Sequence, residues 1–290
     1  MTNTMPETLN ARRLIQIGHS PDPDDAFMFY ALSTGRVEIP GCRIEHRLED
    51  IETLNRRAMA GEYEMTAISA HAYPRVADRY QVMMTGSSMG RGYGPIVVAL
   101  EPGTLADLAG RTVAIPGELT TAHLLLKLFA PPFQAVVIPF DQIMDAVLAR
   151  KVDAGLLINE GQITYENTAL KKVADFGTIW ADETGGLPLP LGLDAVRRDL
   201  GPELITALAR GLEASIAYAD QNEEDAMEYA RGFGRGIERA VNKTFVRMYV
   251  NDDTRNMGDA GVKALTFLYE RAVERGFLTD VPPMDFIPSA

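Results

Sequence analysis

Short apolar runs alternate with helix-length amphipathic segments in two successive series along this chain, and that alternation constrains the fold more than any other feature. An apolar run too short for a helix, followed by a 3.6-residue periodicity, reads as a strand feeding a helix. Strands separated by helices predict α/β layers with largely parallel sheets. In the first series Leu14–Gly18 is a strand, and Ala26–Leu32 continues a helix that Gly35 stops. Residues 42–49 alternate, with Cys42, Ile44, His46 and Leu48 on one face and Arg43, Glu45, Arg47 and Glu49 on the other, as in a half-buried strand. Asp50 caps a helix reaching about Ala60, and Met65–Ala70, Val82–Thr85 and Pro95–Leu100 are strands, the last preceded by the turn Gly90–Gly94.

The second series begins with the strand Thr112–Ile115 and the helix Thr120–Ala130. Ala135–Ile138 is a strand, Phe140–Arg150 a helix, and Asp153–Ile158 a continuously apolar strand of the kind buried on both faces. Val173–Phe176 is short and strand-like, and two prolines keep Leu187–Leu193 extended. From Pro202 onward the pattern is helical, with Leu204, Leu208, Leu212, Ile216 and Ala219 at helical spacing. Two such series predict two lobes joined by crossings near 94–103 and 187–195. Lobe I would hold 1–97 and 194–290, including the helical tail, and lobe II 98–193. The cleft between them is the expected binding site.

The 290 residues suffice for two domains with full cores. Twenty-eight basic residues against 40 acidic ones leave a net charge of −12, which phosphate backbones repel, so a nucleic-acid partner is not expected. The single cysteine, Cys42, excludes an intrachain disulfide and a cysteine metal cluster. No apolar run has signal-peptide or membrane-span length, which predicts a cytoplasmic protein without a membrane partner.

Three segments are candidate chemistry. Ser20-Pro21-Asp22-Pro23-Asp24-Asp25 joins a strand to a helix, and its acids suit a helix N-terminus as well as a ligand. Thr120 and Thr121 open the helix after Gly117; hydroxyls and free N–H groups there would hold a carboxylate or phosphate, unless they only cap. Asn159 and Glu160 end the buried strand 153–158 and would face the cleft. His19, His46, His71 and His123 show no metal-ligand spacing, although His19 and His71 stand at strand ends.

Taken in order, SPDPDDAFMFYAL (20–32), LEDIETLNRRAMAGEYEMTAISAHAY (48–73), GRGYGPIVVA (90–99), TVAIPGELTTAHLLL (112–126), DAGLLINEGQITY (153–165) and TGGLPLPLG (184–192) resemble the 1,4-dihydroxy-6-naphthoate synthase family of the futalosine route to menaquinone. The resemblance implies a two-lobed periplasmic-binding-protein type 2 fold with a central cleft. It implies a lyase that converts cyclic dehypoxanthine futalosine to 1,4-dihydroxy-6-naphthoate, with no cofactor and no metal. The substrate-contacting stretches of the family fall on Ala67, Ile68 and Ser69 and on Thr121 and Ala122, which gives the expected anion pocket a small anionic guest.

Two departures matter. The family commonly has S-P-C-P-N-D-T-F where this chain has acids at Asp22 and Asp24 and Ala26 in place of threonine, in a loop with Ser20 that lines the cleft. The family's general base, a histidine, is replaced by Asn159, whose amide cannot take a proton. Losing such a base lowers a rate by about 10²–10⁴-fold. Three readings follow: a disabled synthase, a synthase whose base is Glu160, His19 or His71, or a relative that only binds. A solute-binding protein and the chorismate dehydratase of the same route are the alternatives.

Overall fold

The computed structural model describes residues 12–236 and 238–289. The chain opens with strand β1 (Arg13–His19), followed by helices α1 (Pro23–Met28) and α2 (Tyr30–Ser33), strand β2 (Cys42–Leu48), helix α3 (Ile51–Ala60) and strands β3 (Met65–Ser69), β4 (Tyr80–Met83) and β5 (Ser88–Gly90). It then crosses to β6 (Ile96–Ala99), β7 (Thr112–Ile115), α4 (Thr121–Phe129), β8 (Gln134–Val137), α5 (Ile143–Leu148), β9 (Ala154–Leu157), α6 (Gly161–Thr164), β10 (Lys171–Asp175) and α7 (Phe176–Thr184). It returns through β11 (Leu189–Arg197) to α8 (Pro202–Gln221), α9 (Glu223–Arg231), α10 (Arg239–Tyr249), α11 (Asp252–Arg255), α12 (Gly258–Glu274) and β12 (Phe286–Ile287).

Two sheets result. One runs β12-β4-β11-β3-β1-β2, with β5 paired to β11; the other runs β10-β6-β9-β7-β8. Each is parallel where strands alternate with helices, at β2-β1-β3 and β8-β7-β9. Each turns antiparallel where a crossing strand inserts: β11 runs against β3 and β4, and β6 against β9 and β10. The sheets are therefore mixed rather than largely parallel. A strand arriving from the other sheet is not bound by the crossover geometry that makes βαβ strands parallel.

Local signals explain most elements. Asp50 caps α3 by accepting from the Thr53 amide at 3.1 Å, and Gly61 ends it in the left-handed region. The helix expected over 26–32 instead breaks at Phe29 into α1 and α2. One apolar core runs from β3 and β4 through α4, β7 and β11 to α12. A second packs α1, α2 and α8 against β1, and a third packs α5 on the outer side of the smaller sheet. Among the described residues no helix is long and apolar enough to cross a membrane.

Candidate active site

A cavity lies between the sheets. Its walls come from the turn after β1 (Ser20, Asp22, Asp24, Asp25), from β3 (Ala67, Ser69), from the start of α4 (Thr120, Thr121, Ala122), from Gln162, from Asp194 on β11, and from Phe245 and Tyr249 on α10. Ile68 is fully buried in the apolar core, as the strand's alternation requires. Asn159 and Glu160 are not among the lining residues.

The turn after β1 is held by its own side chains. The Ser20 amide donates to Asp25 Oδ2 and the Ser20 hydroxyl to Asp22 Oδ2, both at 2.6 Å. Asp22 occupies the N-cap position of α1 with no side-chain cap bond, so the acids face the cavity rather than only capping. Burial, and then the neighbouring Asp22, push Asp24 up to about 7. Asp25 lies well above the carboxylate range through burial and Asp24, and burial pushes Asp194 up to about 8.

Ser69 is fixed by Asn55 on α3, which accepts from the Ser69 amide at 2.8 Å and donates to its hydroxyl oxygen at 2.9 Å. The hydroxyl hydrogen of Ser69 is left to donate elsewhere. Opposite, Thr120 caps α4: its hydroxyl oxygen accepts from the His123 amide and donates to Gly117. Thr121 donates its hydroxyl to the Leu191 carbonyl at 2.7 Å. Both threonine hydroxyls serve the fold, so the donors this wall can offer a ligand are the N–H groups of Thr121 and Ala122 at the positive end of a nine-residue helix.

His19, His46 and His71 are all hydrogen-bonded within the protein. His19 donates Nδ1–H to the Ser20 carbonyl, and its Nε2 accepts from Nδ1 of His46, whose Nε2 accepts from the Ser33 hydroxyl. Burial and His46 lower His19 to about 3. His71 donates Nδ1–H to the Thr120 carbonyl at 3.2 Å, and burial lowers it to about 3. Neither lines the cavity. Asn159, 8% exposed, accepts from the Gly161 amide at 3.2 Å, a turn that starts α6. Glu160 pairs with Arg235 at 3.0 Å, and Arg235 also reaches Asp22 at 2.7 Å and covers the Phe140 ring.

Gln162, Asp194, Phe245, Tyr249 and Arg235 are cavity or rim residues that the sequence did not announce. An acid inside the apolar stretch LPLPLGLDAV was the available signal for Asp194.

Two mixed sheets joined by two crossings around a polar-walled cavity define a two-lobed α/β protein of the periplasmic-binding-protein fold. The alkanesulfonate-binding protein of Xanthomonas axonopodis pv. citri shares that fold with a TM-score of 0.71 at 12% identity, over 95% of this chain and 98% of that one. The chain belongs to the menaquinone biosynthesis family, whose model matches residues 15–274. A protein of Thermus thermophilus named 1,4-dihydroxy-6-naphthoate synthase is 42% identical over 94% of this chain and 99% of its own length. One of that name from Streptomyces coelicolor is 39% identical over 93% of this chain and 96% of its own length. The crystal structure of an Archaeoglobus fulgidus protein matches with a TM-score of 0.88 at 50% identity, over 91% of this chain and 98% of that one.

Proposed function

We propose that this protein is a carbon–carbon lyase that converts cyclic dehypoxanthine futalosine to 1,4-dihydroxy-6-naphthoate in the cytoplasm. The observation that carries the reading is the meeting, across one cavity, of Ser69 with the N–H groups of Thr121 and Ala122. The α4 N-terminus suits the naphthoate-type carboxylate, and the apolar walls Ile51, Ile158, Leu191 and Phe245 suit the ring system. Removal of a proton from the cyclic sugar portion begins an aldol-type fragmentation, which aromatisation drives forward.

The lobes we propose are 1–97 with 194–290 and 98–193; sheet membership supports the two-lobe division while shifting both boundaries a few residues earlier, since β6 lies wholly in the smaller sheet and β11 wholly in the larger. At the base position Asn159 hydrogen-bonds and does not take protons. Of the substitutes, His19 and His71 stand outside the cavity, and Glu160 is engaged by Arg235.

The test is naphthoate formation from cyclic dehypoxanthine futalosine by the chain and by Asn159→His. The reading expects product from the histidine form at a rate about 10²–10⁴-fold above that of the chain itself. Equal rates would keep the synthase and move the base to a cavity carboxylate. No product from either form overturns the synthase in favour of a binding protein; enolpyruvylbenzoate from chorismate would install the dehydratase instead.

A further inference from the structure

Asp194 sits in the middle of β11, opposite Ala67 of β3, and is 1% exposed. Its Oδ1 has no hydrogen-bond partner among the described residues. Leaving a buried polar atom unmatched is unfavourable by about 1–3 kcal/mol, so a fold keeps one for a reason other than stability. Room for the carboxyl is made by Gly86, whose φ is +89: a Cβ at that position would lie 2.4 Å from Asp194 Oδ2. Asp194 lines the cavity beside Asp25.

A second unmatched group faces the same cavity from the other sheet's side. Gln162 is 9% exposed, and its Oε1 accepts from the Tyr249 hydroxyl at 2.7 Å. That bond orients the amide, and Nε2 is left without a partner. A buried carboxyl and a buried amide, on different elements and each with one polar atom unmatched among the described residues, meet in one cavity.

We propose that Asp194 and Gln162 form a polar subsite that binds the uncharged, hydroxylated end of the ligand, and so fix which way round the ligand enters. This deepens the lyase reading and rests on it for the ligand's identity. A carboxyl that keeps its proton both donates and accepts, as a sugar hydroxyl does, and the amide adds a donor. Asp194 carries its proton at neutral pH because burial disfavours its charge. A ligand carboxylate placed at this end would meet the partly ionised Asp24, so it takes the N-terminus of the nine-residue α4 instead. The hydroxylated end of the substrate, where the fragmentation begins, then lies against the carboxyl wall.

The test compares two probes on the full chain: cyclic dehypoxanthine futalosine, in the binding phase that precedes turnover, and 1,4-dihydroxy-6-naphthoate, which lacks the sugar-derived fragment. Asp194→Leu and Gln162→Leu are each expected to weaken the intact substrate about tenfold or more and the naphthoate less than about threefold, one lost buried hydrogen bond being about a factor of ten. Asp194→Asn, which keeps a donor and an acceptor, stays within about threefold for both. Without ligand, Asp194→Leu melts at the same temperature as the parent or higher, because an unmatched polar group has been replaced by an apolar one of similar shape. Equal weakening of both probes, unchanged substrate affinity, or a ligand-free melting temperature several degrees lower overturns the subsite. If the parent chain binds neither probe, the lyase reading falls; the ligand-free melting comparison then decides Asp194 by itself, a lowered value marking it as structural and an equal or raised one as a ligand group.

Discussion

Tyr249 donates its hydroxyl hydrogen to Oε1 of Gln162 at 2.7 Å, tying the helical tail to α6 across the cavity. The phenol is fully buried and its pKa is raised well above the ordinary value by burial, so it acts as a donor throughout the accessible pH range. Tyr249→Phe leaves the Gln162 carbonyl oxygen buried and unmatched. The expected loss is about 1–2 kcal/mol in urea unfolding. Adding Gln162→Leu to Tyr249→Phe removes the orphaned amide and recovers part of that loss; a double variant no more stable than Tyr249→Phe would contradict the pairing.

Arg235 bridges the lobes at the cavity rim. It pairs with Asp22 at 2.7 Å on the large-sheet side and with Glu160 at 3.0 Å after β9. Glu160 is 5% exposed, and burial raises its pKa against the opposing effect of Arg235. Removing the cation strands that carboxylate. Arg235→Met is expected to destabilise by about 1–3 kcal/mol, the lower part of the buried-pair range because the guanidinium is partly exposed. It should also open the lobes, giving a larger radius of gyration in ligand-free X-ray scattering. Superimposable scattering profiles for parent and variant would deny Arg235 the role of an interlobe tie.

The crossing itself is held by backbone contact. A Cβ on Gly177 would lie 2.0 Å from the carbonyl carbon of Tyr93 and 2.3 Å from its Cα, and backbone atoms cannot rotate aside. The neighbouring Phe176 amide donates to the Pro95 carbonyl at 3.0 Å, which pins the outgoing crossing to the start of α7. Gly177→Ala is therefore expected to destabilise by about 2–3 kcal/mol, as overpacking does, although the residue touches no cavity wall. Urea unfolding measures it, and a change below about 0.5 kcal/mol would mean the two segments separate easily.

What the sequence revealed and what it hid divide by distance along the chain. The caps at Asp50 and Thr120, the alternation of β2 and the apolar run of β9 are local patterns, and each became the element it predicts. Helix α7 went unseen because it opens on Phe176-Gly177 and carries only a weak apolar stripe. The three-residue β5 is too short for any periodicity. The cavity wall at Thr120–Ala122 was legible as a wall, although the threonine hydroxyls turned out to bond the protein. On the opposing wall the Ser20–Asp25 turn and Ser69 were legible, and Asp194, Gln162 and Tyr249 were not. Asp194 is brought beside Ala67 by strand pairing and close enough to Asp25 to raise its pKa, and Tyr249 reaches Gln162 from 87 residues away. No local spacing encodes such meetings.

His19 supplies the last prediction, with the sign set by linkage. It is stacked on Phe29 with ring centroids 4.4 Å apart and accepts from His46, an arrangement that requires the neutral ring. Burial first, and then His46, lower it from 6.5 in the unfolded chain to about 3. Between those values the unfolded chain binds the proton and the folded one does not, so stability contributed by the neutral ring is present above pH 6.5 and is lost as pH falls towards 3. Each pH unit below 6.5 removes about 1.4 kcal/mol. In His19→Asn that titration is absent, while the rise in stability that the buried Asp24, Asp25 and Asp194 give on acidification is common to both forms and cancels in the difference. The parent should exceed His19→Asn in stability at pH 8, and the gap should narrow by about 2 kcal/mol by pH 5 in urea unfolding at stepped pH. A gap that stays constant from pH 8 to pH 5 would show that the folded protein accepts a proton on His19 as readily as the unfolded chain does, which the chain of hydrogen bonds from Ser33 through His46 to the Ser20 carbonyl forbids.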